Sequence, residues 1–96
     1  MEYYEIINSV VRLQDEEVAI MKLELYMFET CPYCRKVIKE IQTSGRDDIE
    51  FHDIRKNEDD RKRLIEVGGK EQVPCLFIDG KPMYESDDII EWLKAN

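Results

Sequence analysis

A chain of 96 residues with 43% hydrophobic side chains can close one modest core, and its length leaves no room for a separate substrate domain. Its formal net charge of −8 repels nucleic acid and anionic membrane alike, so an anionic ligand must be held by local geometry. The apolar runs are far too short to span a bilayer, and the acidic start Met1-Glu2-Tyr3-Tyr4-Glu5 leads into no signal-peptide core. Three cysteines, two of them closely paired, suit a reducing cytoplasm. The expectation is a soluble, cytoplasmic monomer that binds neither nucleic acid nor membrane.

Tyr3, Ile6, Ile7, Val10 and Leu13 recur at helical spacing, which predicts an N-terminal amphipathic helix within an added segment, residues 1–20. Its apolar stripe suits a core-covering face or a partner site. The main domain is expected over residues 21–96. Between Lys22 and Phe28, Leu23, Leu25 and Met27 alternate with Lys22, Glu24, Tyr26 and Phe28, a first strand with a core on at least one face. It leads directly into Thr30-Cys31-Pro32-Tyr33-Cys34-Arg35.

Two thiols three residues apart at a helix start face each other across one turn, which is the geometry of a redox pair. Pro32 suits the first helical position, so Cys31 stands at the N-terminal lip, beside unpaired N–H groups and the positive end of the helix dipole. These favour its thiolate, the nucleophilic form. Cys34, one turn inward at the head of the stripe Val37, Ile38 and Ile41, is expected to be the shielded, resolving thiol. A structural disulfide and a zinc site completed by Cys75 and His52 are the competing readings. Nothing suggests secretion, and neither residue belongs to a closely spaced ligand pair. Arg35, standing where haem attachment needs histidine, excludes that motif. No metal ligand is assigned.

The helix from Pro32 should stop near Thr43-Ser44-Gly45, and Ile49 to Ile54 reads as a second strand, parallel to the first. Asn57 opens another helix with Glu58, Asp59 and Asp60 in its first turn, and Gly68-Gly69 ends it. After Val73-Pro74, the short strand Cys75 to Ile78 turns at Asp79-Gly80 into Pro82-Met83-Tyr84. Ser86 is expected to cap a last helix, with Asp87 and Asp88 in its first turn and Ile89, Ile90, Trp92 and Leu93 on its buried side. Cys75 reads as a small buried hydrophobe or a third redox thiol, and His52 carries no functional signal.

From Lys22 to Leu93 the sequence resembles a glutaredoxin. Cys31-Pro32-Tyr33-Cys34 is similar to that family's dithiol motif, and Val73-Pro74 falls where the family has a cis-proline. Val73-Pro74, Leu76, Glu85-Ser86, Ile89 and Trp92-Leu93 also resemble the glutathione-binding domain of the glutathione transferases. The resemblance implies an α/β, thioredoxin-like fold: a four-stranded mixed sheet with flanking helices, in the order β1-α1-β2-α2-β3-β4-α3, preceded here by the extra helix.

It also implies a thiol-disulfide oxidoreductase with no permanently bound cofactor, using glutathione as reducing co-substrate on disulfide-containing or glutathionylated proteins. Under it Cys31 and Cys34 are catalytic, and Tyr33, Val73, Pro74, Glu85, Ser86 and Asp87 bind glutathione. Val73 would pair its backbone with the cysteinyl unit, the start of the last helix would receive a carboxylate, and Tyr33 would flank the thiol. Taken alone, Ser86-Asp87 is also an ordinary helix cap. Phe28 stands where the family has Lys or Arg, with Glu29 adding a negative charge, and Gln72 replaces a common threonine. A unit charge about 7 Å away is worth about 0.6 kcal/mol in water and about 2.4 at an effective dielectric of 20, comparable with a helix terminus. The alternatives are a thioredoxin-like reductase of one protein partner, a metal or iron–sulfur carrier using Cys31, and a non-catalytic interaction module.

Overall fold

Strand β1, Leu23–Met27, runs through the middle of a four-stranded sheet in the order β2-β1-β3-β4 of a computed structural model that describes residues 22–96. The helix predicted over Tyr3–Leu13, and with it the 1–20 segment, lies outside the described residues. Helix α1 (Pro32–Ser44) follows β1, then β2 (Ile49–Asp53), α2 (Glu58–Gly68), β3 (Cys75–Ile78), β4 (Lys81–Tyr84) and α3 (Ser86–Ala95). β2 is parallel to β1, β3 antiparallel to it, and β4 antiparallel to β3, so the sheet is mixed as the resemblance implies.

Local chemistry sets most boundaries. Pro32 opens α1, and Gly45, at φ 75°, closes it by donating its N–H to Gln42 O. Asn57 Oδ1 accepts the N–H groups of Asp59 and Asp60 at 2.9 and 3.2 Å, capping α2. Asp79 and Gly80 both take positive φ, as a two-residue hairpin turn of this hand requires. Asp79 also ties the turn to Lys22, accepting its N–H at 2.7 Å and donating its own N–H to Lys22 O at 2.8 Å.

Ser86 does not cap α3: the cap position is Glu85, at φ 74° and ψ 114° with no side-chain capping bond, and Ser86 is the first helical residue. The chain leaves β4 through this positive-φ residue, which shifts the helix start by one. Ile89 and Leu93 are buried as read, whereas Ile90 and Trp92 are half-buried.

Both faces of β1 are covered. Leu23, Leu25 and Met27 pack with Cys34, Val37 and Ile41 of α1, Leu76 of β3, and Ile89 and Leu93 of α3. On the other face Tyr26 packs with Ile54, Leu64 of α2, Cys75 and Phe77. Each fully buried Leu or Phe in these layers stabilises the fold by about 1.5–3 kcal/mol. Glu24 belongs to this second face and is only 2% exposed, so the alternation read from sequence separates two cores rather than core from solvent. No helix of the described residues is long and apolar enough to cross a membrane.

Candidate active site

The end of β1 delivers the dithiol to the start of α1. Cys31 N–H donates to Phe28 O at 3.2 Å, a tight turn that sets Cys31 as the cap of the helix in extended geometry. Its Sγ accepts the Cys34 N–H at 3.3 Å, so the sulfur itself satisfies an orphan donor of the first turn. Cys31 keeps 6% exposure and Cys34 has none. Burial pushes the Cys34 thiol up to about 12, and its hydrogen bond with Cys31 acts in the same sense. Burial likewise pushes Cys75 up to about 11. Both stay protonated thiols at neutral pH, so Cys31 is the candidate nucleophile.

Cys75 and His52 do not complete a zinc site with this pair. They pair with Tyr26 from opposite sides, on β3 and β2, and Tyr26 belongs to the core layer on the face of the sheet away from α1.

Two cations from the segment after β2 lie around position 28. The Arg55 guanidinium lies 3.7 Å above the Phe28 ring and donates to Thr30 Oγ1 at 3.3 Å, while Lys56 Nζ pairs with Glu29 Oε2 at 2.9 Å. Arg55 and Lys56 reach this place because pairing continues one residue past β2, with Ile54 N–H donating to Met27 O at 2.9 Å. The Arg35 Nε–H bond to Glu29 O, at 3.0 Å, holds the same turn. The strand register contained this arrangement in principle, but only a pairing alignment of β1 with β2 reveals it.

Beside the dithiol motif lies a hollow of about 400 Å³, lined by Tyr33, Lys36, Gln72, Val73, Pro74, Glu85, Ser86 and Asp87. All six residues assigned by resemblance to glutathione are brought together here, from α1, the loop before β3, and the start of α3. Tyr33 is 62% exposed at its rim, and the Val73–Pro74 peptide bond is cis. The α1 and α2 starts are capped by Cys31 and Asn57, but α3 has no side-chain cap, and Ser86 and Asp87 of its first turn line the hollow. Lys36 was not anticipated from sequence; its Nζ pairs with Asp87 Oδ1 at 2.9 Å across the opening. Its place on the turn of α1 after Tyr33 was the available signal.

The glutaredoxin family model matches residues 23–83. Glutaredoxin 3 of Escherichia coli is 32% identical over 69 residues, which cover 70% of this chain and 80% of that protein. A probable glutaredoxin of Synechocystis is 29% identical over 68 residues, 71% of this chain and 77% of its own length. Among solved structures, the thioredoxin-like protein BC3987 matches with a TM-score of 0.64 and 28% identity, covering 77% of this chain and 97% of that one. Glutathione transferase Omega 3C from Trametes versicolor shares the fold over 77% of this chain and 33% of its own, with a TM-score of 0.66 and 24% identity. The range of the family match includes the dithiol and the cis bond before Pro74, and this chain belongs to the glutaredoxin family.

Proposed function

We propose that this glutaredoxin reduces protein disulfides and glutathionylated cysteines in a reducing cytoplasm, with Cys31 as nucleophile, Cys34 as resolving thiol and glutathione as electron donor. The Cys31 thiolate attacks one sulfur of the substrate disulfide, forming a mixed disulfide and expelling the other sulfur as a thiolate that takes up a proton. On a protein disulfide, Cys34 then attacks Cys31 Sγ, releasing the second substrate thiolate and leaving an intramolecular disulfide. Two glutathione molecules return the enzyme to the dithiol and leave as glutathione disulfide. On a glutathionylated cysteine, attack at the glutathione sulfur frees the protein thiol, and one further glutathione resolves the mixed disulfide.

The observation that carries this reading is the hollow shared by Tyr33, Val73 and the uncapped start of α3. In it the Val73 backbone pairs with the cysteinyl unit of glutathione, the cis Pro74 exposes that edge, and the Tyr33 hydroxyl flanks the reacting sulfur. The Ser86 and Asp87 N–H groups receive the γ-glutamyl carboxylate, and the Glu85 carboxylate holds the α-amine. Residues 21–96 form the working domain under this reading, and residues 1–20 are an extension to it.

Turnover of a small glutathione mixed disulfide tests the assignment. Cys31→Ser abolishes all reduction, while Cys34→Ser keeps activity on glutathionylated substrates and loses it on protein disulfides. Equal loss of both activities in the Cys34 variant removes its role as a separable resolver. The likeness to BC3987 favours a second reading, a thioredoxin-like reductase of a protein partner. Turnover with thioredoxin reductase but not with glutathione would select that reading.

A further inference from the structure

We propose that Glu24, Glu50 and His52 form a binding site for a divalent transition-metal ion, zinc by preference, on the face of the sheet opposite the dithiol. The parallel pairing of β1 with β2 sets Glu24 opposite Glu50 and Tyr26 opposite His52. Like charges directly opposite on paired strands repel, and a carboxylate as buried as Glu24 is seldom found without a counterion. Arg63 meets only its outer oxygen, with Nη2 at 3.4 Å from Oε2. The inner oxygen, Oε1, accepts the Tyr26 hydroxyl at 3.1 Å and faces the imidazole.

Two of the three donor spacings are close to those of a metal's coordination shell. His52 Nε2 lies 3.3 Å from Glu50 Oε1 and 3.7 Å from Glu24 Oε1, and all three atoms fall within 4.8 Å of one another. A tetrahedral ion with bonds of about 2.0–2.2 Å holds neighbouring ligands about 3.4 Å apart. Few side-chain movements are therefore needed to close three ligands around one ion.

The imidazole is already oriented for this task. His52 Nδ1 lies 3.0 Å from Asp60 Oδ1, and the ring stacks on Tyr26 with centroids 4.8 Å apart and planes 13° from parallel. A neutral imidazole has one N–H, and donating it to Asp60 turns the Nε2 lone pair toward two carboxylates. In that tautomer Nε2 and the two carboxylate oxygens converge as three ligand atoms, a place for which a metal ion and a second imidazole proton compete. A carboxylate on the far nitrogen is also the usual orienting partner of a metal-bound histidine.

Charge agrees with geometry. Three carboxylates, Glu24, Glu50 and Asp60, surround the imidazole with the Arg63 guanidinium beside them, so the group attracts a cation. The imidazole favours a transition metal over magnesium or calcium, and the exposed side of Glu50, 57% accessible, leaves a coordination position for water and a path of entry. The ion would fasten β1, β2 and, through Asp60, the first turn of α2, without touching either redox thiol.

His52 is the single histidine of the chain, so its ring nitrogens report on the site without overlap. The experiment is a zinc titration of the full-length protein, with Cys31 and Cys34 oxidised to a disulfide so that they do not compete, followed by ¹⁵N NMR of the ring. Saturation at one equivalent with a change at Nε2 is expected, with magnesium producing none. Glu50→Gln, a change at an exposed carboxylate, should weaken binding by at least about tenfold, and Asp60→Asn by about 10–100-fold. Ring signals that zinc leaves unmoved, an unchanged affinity in Glu50→Gln, or an equal response to magnesium would each overturn the site. None of these readings depends on glutathione.

Discussion

Replacing Glu85 by glycine should make the protein more stable and its glutathione kinetics worse. Glu85 holds φ 74° and ψ 114° with no side-chain capping bond, and a non-glycine residue in so sparse a region costs about 1–3 kcal/mol. Glycine relieves that cost but frees the unfolded chain by about 0.5–1 kcal/mol. The net expectation is a gain of about 1 kcal/mol, or a rise of about 4–8 °C in Tm for a domain of this size. The same change removes a carboxylate from the hollow beside Ser86 and Asp87. If that carboxylate holds the ligand's α-amine, losing a charged hydrogen bond raises KM by about tenfold. Glu85→Gln separates the two effects, since it keeps the backbone strain and removes the charge. Urea unfolding and steady-state kinetics on a glutathione mixed disulfide give both quantities for both variants. A glycine variant no more stable than the parent refutes the strain argument, and an unchanged KM in both variants removes Glu85 from the binding site.

The remaining predictions concern stability. Because burial raises the Cys34 thiol from about 9 to about 12, the unfolded chain loses this proton first as pH rises, and the folded chain keeps it. The Cys34 contribution is thus complete below pH 9 and is lost upward toward pH 12; reduced parent should lose about 1 kcal/mol more than Cys34→Ser between pH 9 and 10, measured by urea unfolding. Arg46 forks onto Asp48 at 2.9 and 3.0 Å and donates to Leu93 O at 2.9 Å, tying the loop after α1 to α3. Arg46→Ala should cost about 1–2 kcal/mol, mostly through the Leu93 bond because Asp48 is half-exposed, and Arg46→Lys should not restore it, as thermal melts will show. The Tyr84 hydroxyl donates to Gly68 O at 2.9 Å and joins β4 to the end of α2, so Tyr84→Phe should lower stability by about 1 kcal/mol in the same assay.

What could be read from sequence was what local chemistry decides. Pro32, Gly45, Asn57 and Asp79-Gly80 each impose a backbone geometry within a few residues, and the structure has a boundary at each. The residues of the hollow were reached through resemblance, because Tyr33, Pro74 and Ser86 meet only after the sheet forms. Contacts between elements were beyond reach: Arg55 on Phe28, Lys56 with Glu29 and Lys36 with Asp87 need a strand register or a helix rotation that no short window contains. The shift of the α3 cap from Ser86 to Glu85 has a different origin, since serine is the better cap and only the positive φ of the preceding residue overrides it. His52 looked inert for the same reason as Glu24: their neighbours come from β1, β2 and α2 together.

The strand order has a consequence for how the protein behaves at high concentration. Among the described residues β2 and β4 are the outer strands, and an outer strand offers unpaired N–H and C=O groups to any other chain. Pro82 lies within β4, opposite Phe77, where it has no N–H to lend to an intruding strand, and Lys81 beside it adds a charge. β2 carries Glu50 and Asp53 along its five residues, so two copies paired parallel and in register would set like carboxylates opposite each other. Ribbon-like self-association through either margin is thereby opposed by the side chains that the margin itself carries.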